Sequence, residues 1–200
     1  MTKTFYYILL GYLSGSVLYA RVFSTLMGKD ILARSKDDNP GTSNAFQYGG
    51  FLCGLGTLLG DLCKGFVPVW LYLHSEDAGG SHLALALILA APVVGHAFPV
   101  FYRFRGGKGI AVTFGVLCGL FPAWQPFIIF ARAFLFFSLV VRITPHFQRT
   151  IAAYLVALLC LALTRQPQGI TLGFCLIACI VCLRMHLSKE PREAMQIQLL

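Results

Sequence analysis

Apolar stretches of about 20 residues, the length a helix needs to cross the hydrocarbon core of a bilayer, recur along nearly the whole of this 200-residue sequence. Seven can be delimited, at 5–27, 46–73, 83–102, 109–122, 124–141, 150–164 and 169–185. No water satisfies peptide groups inside hydrocarbon, so runs of this length must close their hydrogen bonds internally, as helices. The expected fold is therefore all-α: one domain over residues 1–200, a polytopic integral membrane protein of about seven transmembrane helices. The fourth run is short and contains glycine, which leaves six spans and one re-entrant segment open as the alternative. Only 12% of the residues are charged and mean hydropathy is +0.72, too little polar surface to cover a soluble globule. The first run, from Phe5, is too long for a secretion signal and lacks a small-residue cleavage site, so it reads as a retained span.

Basic residues predict the orientation. Under a seven-span reading, alternate connections carry Lys29, Arg34 and Lys36, then Arg103, Arg105 and Lys108, then Arg142 and Arg149, then Arg184, Lys189 and Arg192. The opposite side has only Lys3 and Arg165, and HSEDAGG (74–80) has neither lysine nor arginine. Cytoplasmic loops are the basic ones, so the N-terminus is expected outside and the C-terminus in the cytoplasm. The net charge of +8 then gathers on one face, where it suits anionic headgroups or phosphorylated ligands better than nucleic acid. Cysteines 53, 63, 118, 160, 175, 179 and 182 lie almost all within apolar runs. The last three share neighbouring helical turns, but no histidine or carboxylate accompanies them, so they read as small packing residues rather than a metal site.

Polar residues inside the spans carry more information, because a charge at the centre of a bilayer costs at least about 2.5–3.5 kcal/mol. Asp61 and Lys64, in GDLCKG, lie three apart and so on one face of the second span, where they can neutralise each other. His96 lies near the end of the third span, just before Pro99. Arg132 stands within the fifth span with no obvious partner in sequence. Glycines 50, 54, 56 and 60 follow the small-residue spacing of close helix packing.

Two loops stand apart from plain connectors. In GHAFPVFYRFRGGKGIAVTFG (95–115), Gly106-Gly107-Lys108-Gly109 precedes an apolar helix beginning near Ile110, so unpaired N–H groups and the positive dipole end face the loop. Glycines let successive amides curl around an oxyanion, while Arg103, Arg105 and Lys108 add full charge. This is not a nucleotide P-loop, since Tyr102 stands where the first glycine of that motif would be. The second loop, from Gly28 to Ala45, brings Asn39, Gly41, Thr42, Ser43 and Asn44 to the entry of the second span. Two such loops on one face could hold two phosphates. The sequence has no His-x4-Asp pair, no G-x-S-x-G elbow and no acidic cluster for magnesium, so the chemistry it suits is transfer from an already activated, mixed-anhydride donor by positioning and charge neutralisation.

The run from Gly95 to Gly115 closely resembles the signature GHxFPVFxxFxGGKGVAT of the bacterial acyl-phosphate:glycerol-3-phosphate acyltransferases of the PlsY type. Weaker matches occur in the same order: Gly15-Ser16, N39-P-G-T-S-N44 against NxGATN, and D61-L-C-K-G65 against DxxKG. The resemblance covers about the first 115 residues by motif and the rest by hydropathy. It implies transfer of a fatty acyl group from acyl phosphate to the 1-hydroxyl of glycerol 3-phosphate, giving lysophosphatidic acid and phosphate at the cytoplasmic face of a bacterial inner membrane. No metal or other cofactor is implied, the bilayer is the partner besides the two substrates, and a monomer is expected. The implied catalytic residues are His96, Lys108 and Asn44. Gly106, Gly107, Lys108, Gly109, Asn39, Gly41 and Ser43, with Arg103 and Arg105, would hold phosphate, and Ser16, Asp61 and Lys64 would shape the pocket. The base is either His96 or a substrate phosphate oxygen.

The chain departs from the family pattern at Lys36-Asp37-Asp38, which replaces Gly-Ser-Gly, and at Leu32 in place of an arginine. It departs again at RITPHFQRT (142–150), where a serine-rich stretch is expected, and at R184-M-H-L-S-K189, where asparagine would end the motif. These changes bear on the acceptor. Two other readings stay open at this point: a paralogue that uses a different acceptor, and a transporter or binding protein for anionic substrates.

Overall fold

The computed structural model of the chain describes residues 2–35, 37–188 and 196–199. The first span is bent: Thr2–Ser16 (α1) and Tyr19–Leu26 (α2) are separated at Val17-Leu18, where Leu18 is extended. The break frees the carbonyl of Val17, which accepts a hydrogen bond from Lys64 Nζ at 2.6 Å. Non-helical backbone at membrane depth is tolerated where protein groups satisfy it in this way. Ile31–Arg34 (α3) and Thr42–Gly49 (α4) are short helices within the loop that follows. Phe51–Leu73 (α5) and His82–Ala97 (α6) are full-length spans. A 3₁₀ turn at Val100–Tyr102 leads to the nine-residue Ile110–Cys118 (α7) and to Gln125–Leu135 (α8), which continues as a π turn through Val140. His146–Leu163 (α9) and Gln168–His186 (α10) complete the bundle.

Five helical segments of the described residues are long and apolar enough to cross a membrane: Lys3–Leu26, Phe51–Leu73, His82–Tyr102, His146–Leu163 and Gln168–His186. The expected runs 109–122 and 124–141 form only α7 and the shorter apolar stretch Gln125–Val140. Leucines 52, 59, 83, 155, 159, 163 and 183 are exposed along the helices, as they are on a protein solvated by lipid. The molecule is thus a mainly helical, multi-pass membrane protein. The all-α expectation needs one correction. Val141–Thr144 (β1) and Gln196–Leu199 (β2) pair antiparallel, with Arg142 opposite Gln198 and Ile143 opposite Ile197. The β-branched residues of VRIT favour extended backbone, and Pro145 keeps Thr144 out of the helical region.

Glycine decides how closely the helices approach, though not at the expected positions. A Cβ on Gly15 would stand 2.1 Å from the carbonyl oxygen of Pro92, and one on Gly95 2.1 Å from that of Tyr12, so α1 and α6 touch backbone to backbone. Gly65 and Gly115 make the same reciprocal contact between α5 and α7, at 2.5 Å from Val112 O and 2.1 Å from Leu62 O. Gly54, Gly56 and Gly60 instead receive the rings of Phe46, Phe23 and Tyr19. Their spacing makes a seat for the side chains of α2 and α4 rather than a helix seam. The main core lies where α6 to α10 meet, around Phe130, Tyr154 and Phe174. Their ring centroids are 4.7 to 5.6 Å apart, and Tyr154 OH donates to Thr113 Oγ1 at 2.7 Å. All seven cysteines are free thiols, and Cys63 and Cys179 are exposed rather than packed.

Candidate active site

Both loops singled out in the sequence open at the same end of the bundle. After α6 the chain turns back on itself: Arg103 and Phe104 are left-handed, Phe104 N donates to Pro99 O, and Gly107 N donates to His96 O at 3.0 Å. Gly106 and Gly107 are pressed against His96. A Cβ on Gly106 would meet His96 O at 1.9 Å, and one on Gly107 would meet His96 Nε2 at 2.2 Å. Arg184, from α10, clasps the loop from outside, with Nε and Nη2 both donating to Gly106 O at 3.2 and 2.6 Å. Gly109, at φ +83°, turns the chain into α7, a conformation that disfavours any side chain. Ser16 Oγ donates to Tyr12 O and accepts from Val100 N, tying the loop's first turn to α1.

The α3–α4 loop closes over the lysine. Asn44 Nδ2 donates to Asn39 O at 2.9 Å and to Asp37 Oδ1 at 2.8 Å, while Lys108 Nζ donates to Asp37 Oδ2 at 2.9 Å. Burial alone would raise the pKa of Asp37, but the hydrogen bonds from Lys108 and Asn44 and the lysine's charge outweigh it. The carboxyl is held below its ordinary value of 3.8. Behind this pair lies a second, fully buried one. Lys64 Nζ is 2.7 Å from Asp61 Oδ1 and 2.8 Å from His96 Nδ1. Ammonium has only protons to give, so Nδ1 of His96 accepts and the ring's own proton lies on Nε2, toward Gly107.

A cavity of about 660 Å³ collects most of the expected site residues. Asn39, Gly41, Ser43, Asn44, Asp61, His96, Lys108 and Gly109 line it, together with the apolar side chains of Leu58, Ile110, Phe114 and Phe134. Arg105 lines a different cavity, of about 490 Å³, with Arg21 and Arg184, and Asp37 borders both. Arg103 is exposed and lines neither cavity. Lys64, Ser16, Gly106 and Gly107 lie behind the cavity walls, and the amide of Gly107 is spent on His96 O rather than facing a ligand. Lys36 and Lys189 fall outside the described residues. Among the described residues no group of three or more histidines, cysteines and carboxylates could hold a metal ion.

Several residues at these cavities are not among the site candidates that the motifs mark, Arg21, Arg184, His146 and Arg149 among them. Arg21 sits over the Tyr102 ring, 5.2 Å from its centroid, and the cost of a charge within an apolar run was the signal that could have found it. His146 and Arg149, joined by a 2.7 Å contact in the first turn of α9, also line the larger cavity. The residue types of RITPHFQRT do not announce that by themselves; the signal was the family resemblance, which expects a signature stretch at 142–150.

The fold defines a multi-pass helical membrane protein with a pocket in which charged and amide side chains, Lys108, Arg149, Asp37, Asp61 and Asn44, stand beside apolar ones. The family model for glycerol-3-phosphate acyltransferase matches residues 5–192, and the chain belongs to that family. It is 34% identical over 192 residues to the glycerol-3-phosphate acyltransferase of Chromobacterium violaceum, covering 94% of this chain and 90% of that protein. With the enzyme of the same name from Pasteurella multocida it shares 38% identity over 112 residues, 56% of this chain and 54% of the relative. The chain spans little more than half the length of several such curated relatives. Among solved structures it resembles PlsY, an integral membrane glycerol 3-phosphate acyltransferase. The glycerol 3-phosphate form gives a TM-score of 0.79 at 25% identity, covering 92% of this chain and 89% of that one. The form with lysophosphatidic acid gives 0.73.

Proposed function

We propose that the protein transfers a fatty acyl group from acyl phosphate to the 1-hydroxyl of glycerol 3-phosphate, releasing phosphate and lysophosphatidic acid. The observation that carries the reading is the larger cavity itself, in which the polar groups of Lys108, Asn44 and Gly109 stand beside the apolar side chains of Ile110, Phe114 and Phe134. An acyl phosphate combines those two kinds of surface in one molecule. The adjoining cavity, with Arg21, Arg105 and Arg184, suits the phosphate of the acceptor. Attack of the acceptor hydroxyl on the acyl carbonyl breaks the bond to phosphate, and negative charge grows on the departing phosphate, where Lys108 neutralises it. His96 is a poor base in this arrangement, because Lys64 occupies Nδ1 and Nε2 already carries hydrogen. The hydroxyl proton goes to an oxygen of the departing phosphate. His96, Asp61 and Lys64 hold the glycine loop in shape, and no metal or other cofactor takes part.

The orientation follows from the basic loops: N-terminus outside, C-terminus and cavities toward the cytoplasm of a bacterial cell, with α7 and α8 completing seven crossings and one chain forming the working unit. Lys3 pairs with Asp77 at the end away from the cavities, which agrees with that segregation of charge. The test is phosphate release from synthetic acyl phosphate by the purified protein in detergent. Lys108→Ala is expected to lower release at least about 100-fold while the protein stays monodisperse. Undiminished release by that variant would remove Lys108 from the chemistry.

A further inference from the structure

The donors of the anion site are already occupied by the chain itself. Lys108 Nζ donates to Asp37 Oδ2 at 2.9 Å, Asn44 Nδ2 donates to Oδ1 at 2.8 Å, and the backbone N–H of Asn39 donates to Oδ1 at 3.3 Å. The Asp37 side chain is 13% exposed and that of Lys108 9%, so this is a sheltered contact rather than a surface ion pair. A carboxylate with its oxygens on an ammonium, a carboxamide and a peptide N–H is held as two oxygens of a phosphate would be. We propose that Asp37 is an internal stand-in for phosphate, which the entering phosphoryl group must displace from Lys108 and Asn44, so that this residue sets the protein's affinity for its phosphorylated donor.

This rests on the functional reading above for the identity of the donor, but the occupied anion site does not. Phosphate and Asp37 cannot share Lys108, because two anions would then face each other within a few ångströms in a half-enclosed space. The apparent affinity for phosphate is therefore reduced by the fraction of molecules in which Asp37 holds the site. The depressed pKa keeps Asp37 ionised at neutral pH, so protonation does not clear the site. Asp37 borders both cavities, so its charge weakens phosphate binding in the arginine-lined cavity as well.

Calorimetric titration of the purified protein with inorganic phosphate tests this without reference to turnover. Asp37→Asn and Asp37→Gly are each expected to tighten phosphate binding at least about tenfold, and to lower the KM for acyl phosphate in parallel. Unchanged or weaker phosphate binding in both variants overturns the inference. So does loss of turnover at saturating acyl phosphate in Asp37→Asn with phosphate affinity unaltered, which would make Asp37 a participant in the reaction. Where neither wild type nor variant releases phosphate from acyl phosphate but the titration still shifts, the functional reading fails and this one stands. Should the variants not fold, a structure of the wild type soaked in phosphate decides: phosphate on Lys108 with Asp37 beyond hydrogen-bonding distance supports the displacement, and phosphate bound with the Asp37–Lys108 contact intact refutes it.

Discussion

Replacing Lys64 by methionine probes the pair that supports the glycine loop. The side chains of Lys64 and Asp61 are 1% and 2% exposed, and the ammonium makes short contacts with Asp61 Oδ1, His96 Nδ1 and the freed carbonyl of Val17. Lys64→Met leaves the Asp61 carboxylate buried without its counter-ion, a change that costs on the order of 3–5 kcal/mol. It also strips a donor from Val17 O, for about 1–3 kcal/mol more. Against a total stability of roughly 5–15 kcal/mol, that is a large share. The double variant Asp61→Leu/Lys64→Met removes both charges and keeps only the cost of the orphaned Val17 and His96 acceptors. It is expected to unfold above the Lys64→Met single variant in a thermal ramp followed by tryptophan fluorescence in detergent. If Lys64→Met melts with the wild type, or the double variant loses as much as the two single losses added together, the pair is not what holds this junction.

Other consequences follow from single contacts. Gly115→Ala would bring a methyl 2.1 Å from the carbonyl oxygen of Leu62, so α5 and α7 must part, and a loss of about 1–3 kcal/mol or more is expected in the same thermal assay. Tyr154→Phe removes the hydrogen bond to Thr113 from an otherwise intact aromatic core and should cost about 0.5–1.5 kcal/mol. Because the folded-state pKa of Asp37 is depressed, its contribution to stability is present above the unfolded value and disappears as pH falls through the folded one. The melting difference between wild type and Asp37→Asn in phosphate-free buffer should therefore be constant at neutral pH and close below about pH 4.

The membrane class and the two loops that meet at the candidate site were legible in the sequence because their signals are local. Hydrocarbon forces long apolar runs into helices, and RGGKG and NPGTSN carry glycine, amide and charge within a few residues. Asp61 and Lys64 could be paired from their spacing alone. The helix seams could not. Gly50, Gly54, Gly56 and Gly60 have the spacing of a seam, but Gly54, Gly56 and Gly60 receive aromatic rings and Gly50 faces open space, whereas the contacts of Gly15 with Pro92 and Gly115 with Leu62 join residues that no local pattern links. The same limit applies to Asp37. Read in isolation it adds repulsion to an anion loop, and only the fold shows that it lies on Lys108, 71 residues away. Arg184 at Gly106 is a further case, since its place in the last helix gives no hint that it braces the central loop. The β1–β2 pair escaped for a different reason: Val141 was absorbed into the apolar run 124–141 and Arg142, Ile143 and Thr144 into the connection after it, too short a stretch to show a strand's alternation.

The most direct test of the account is a product balance. The purified wild-type protein is incubated with synthetic acyl phosphate and glycerol 3-phosphate, and both products are followed in one time course. Lysophosphatidic acid and phosphate rising together in equal amounts, with Lys108→Ala producing neither, is the predicted result. Phosphate release without acylated product, or acylated product formed equally well by the lysine variant, would contradict it.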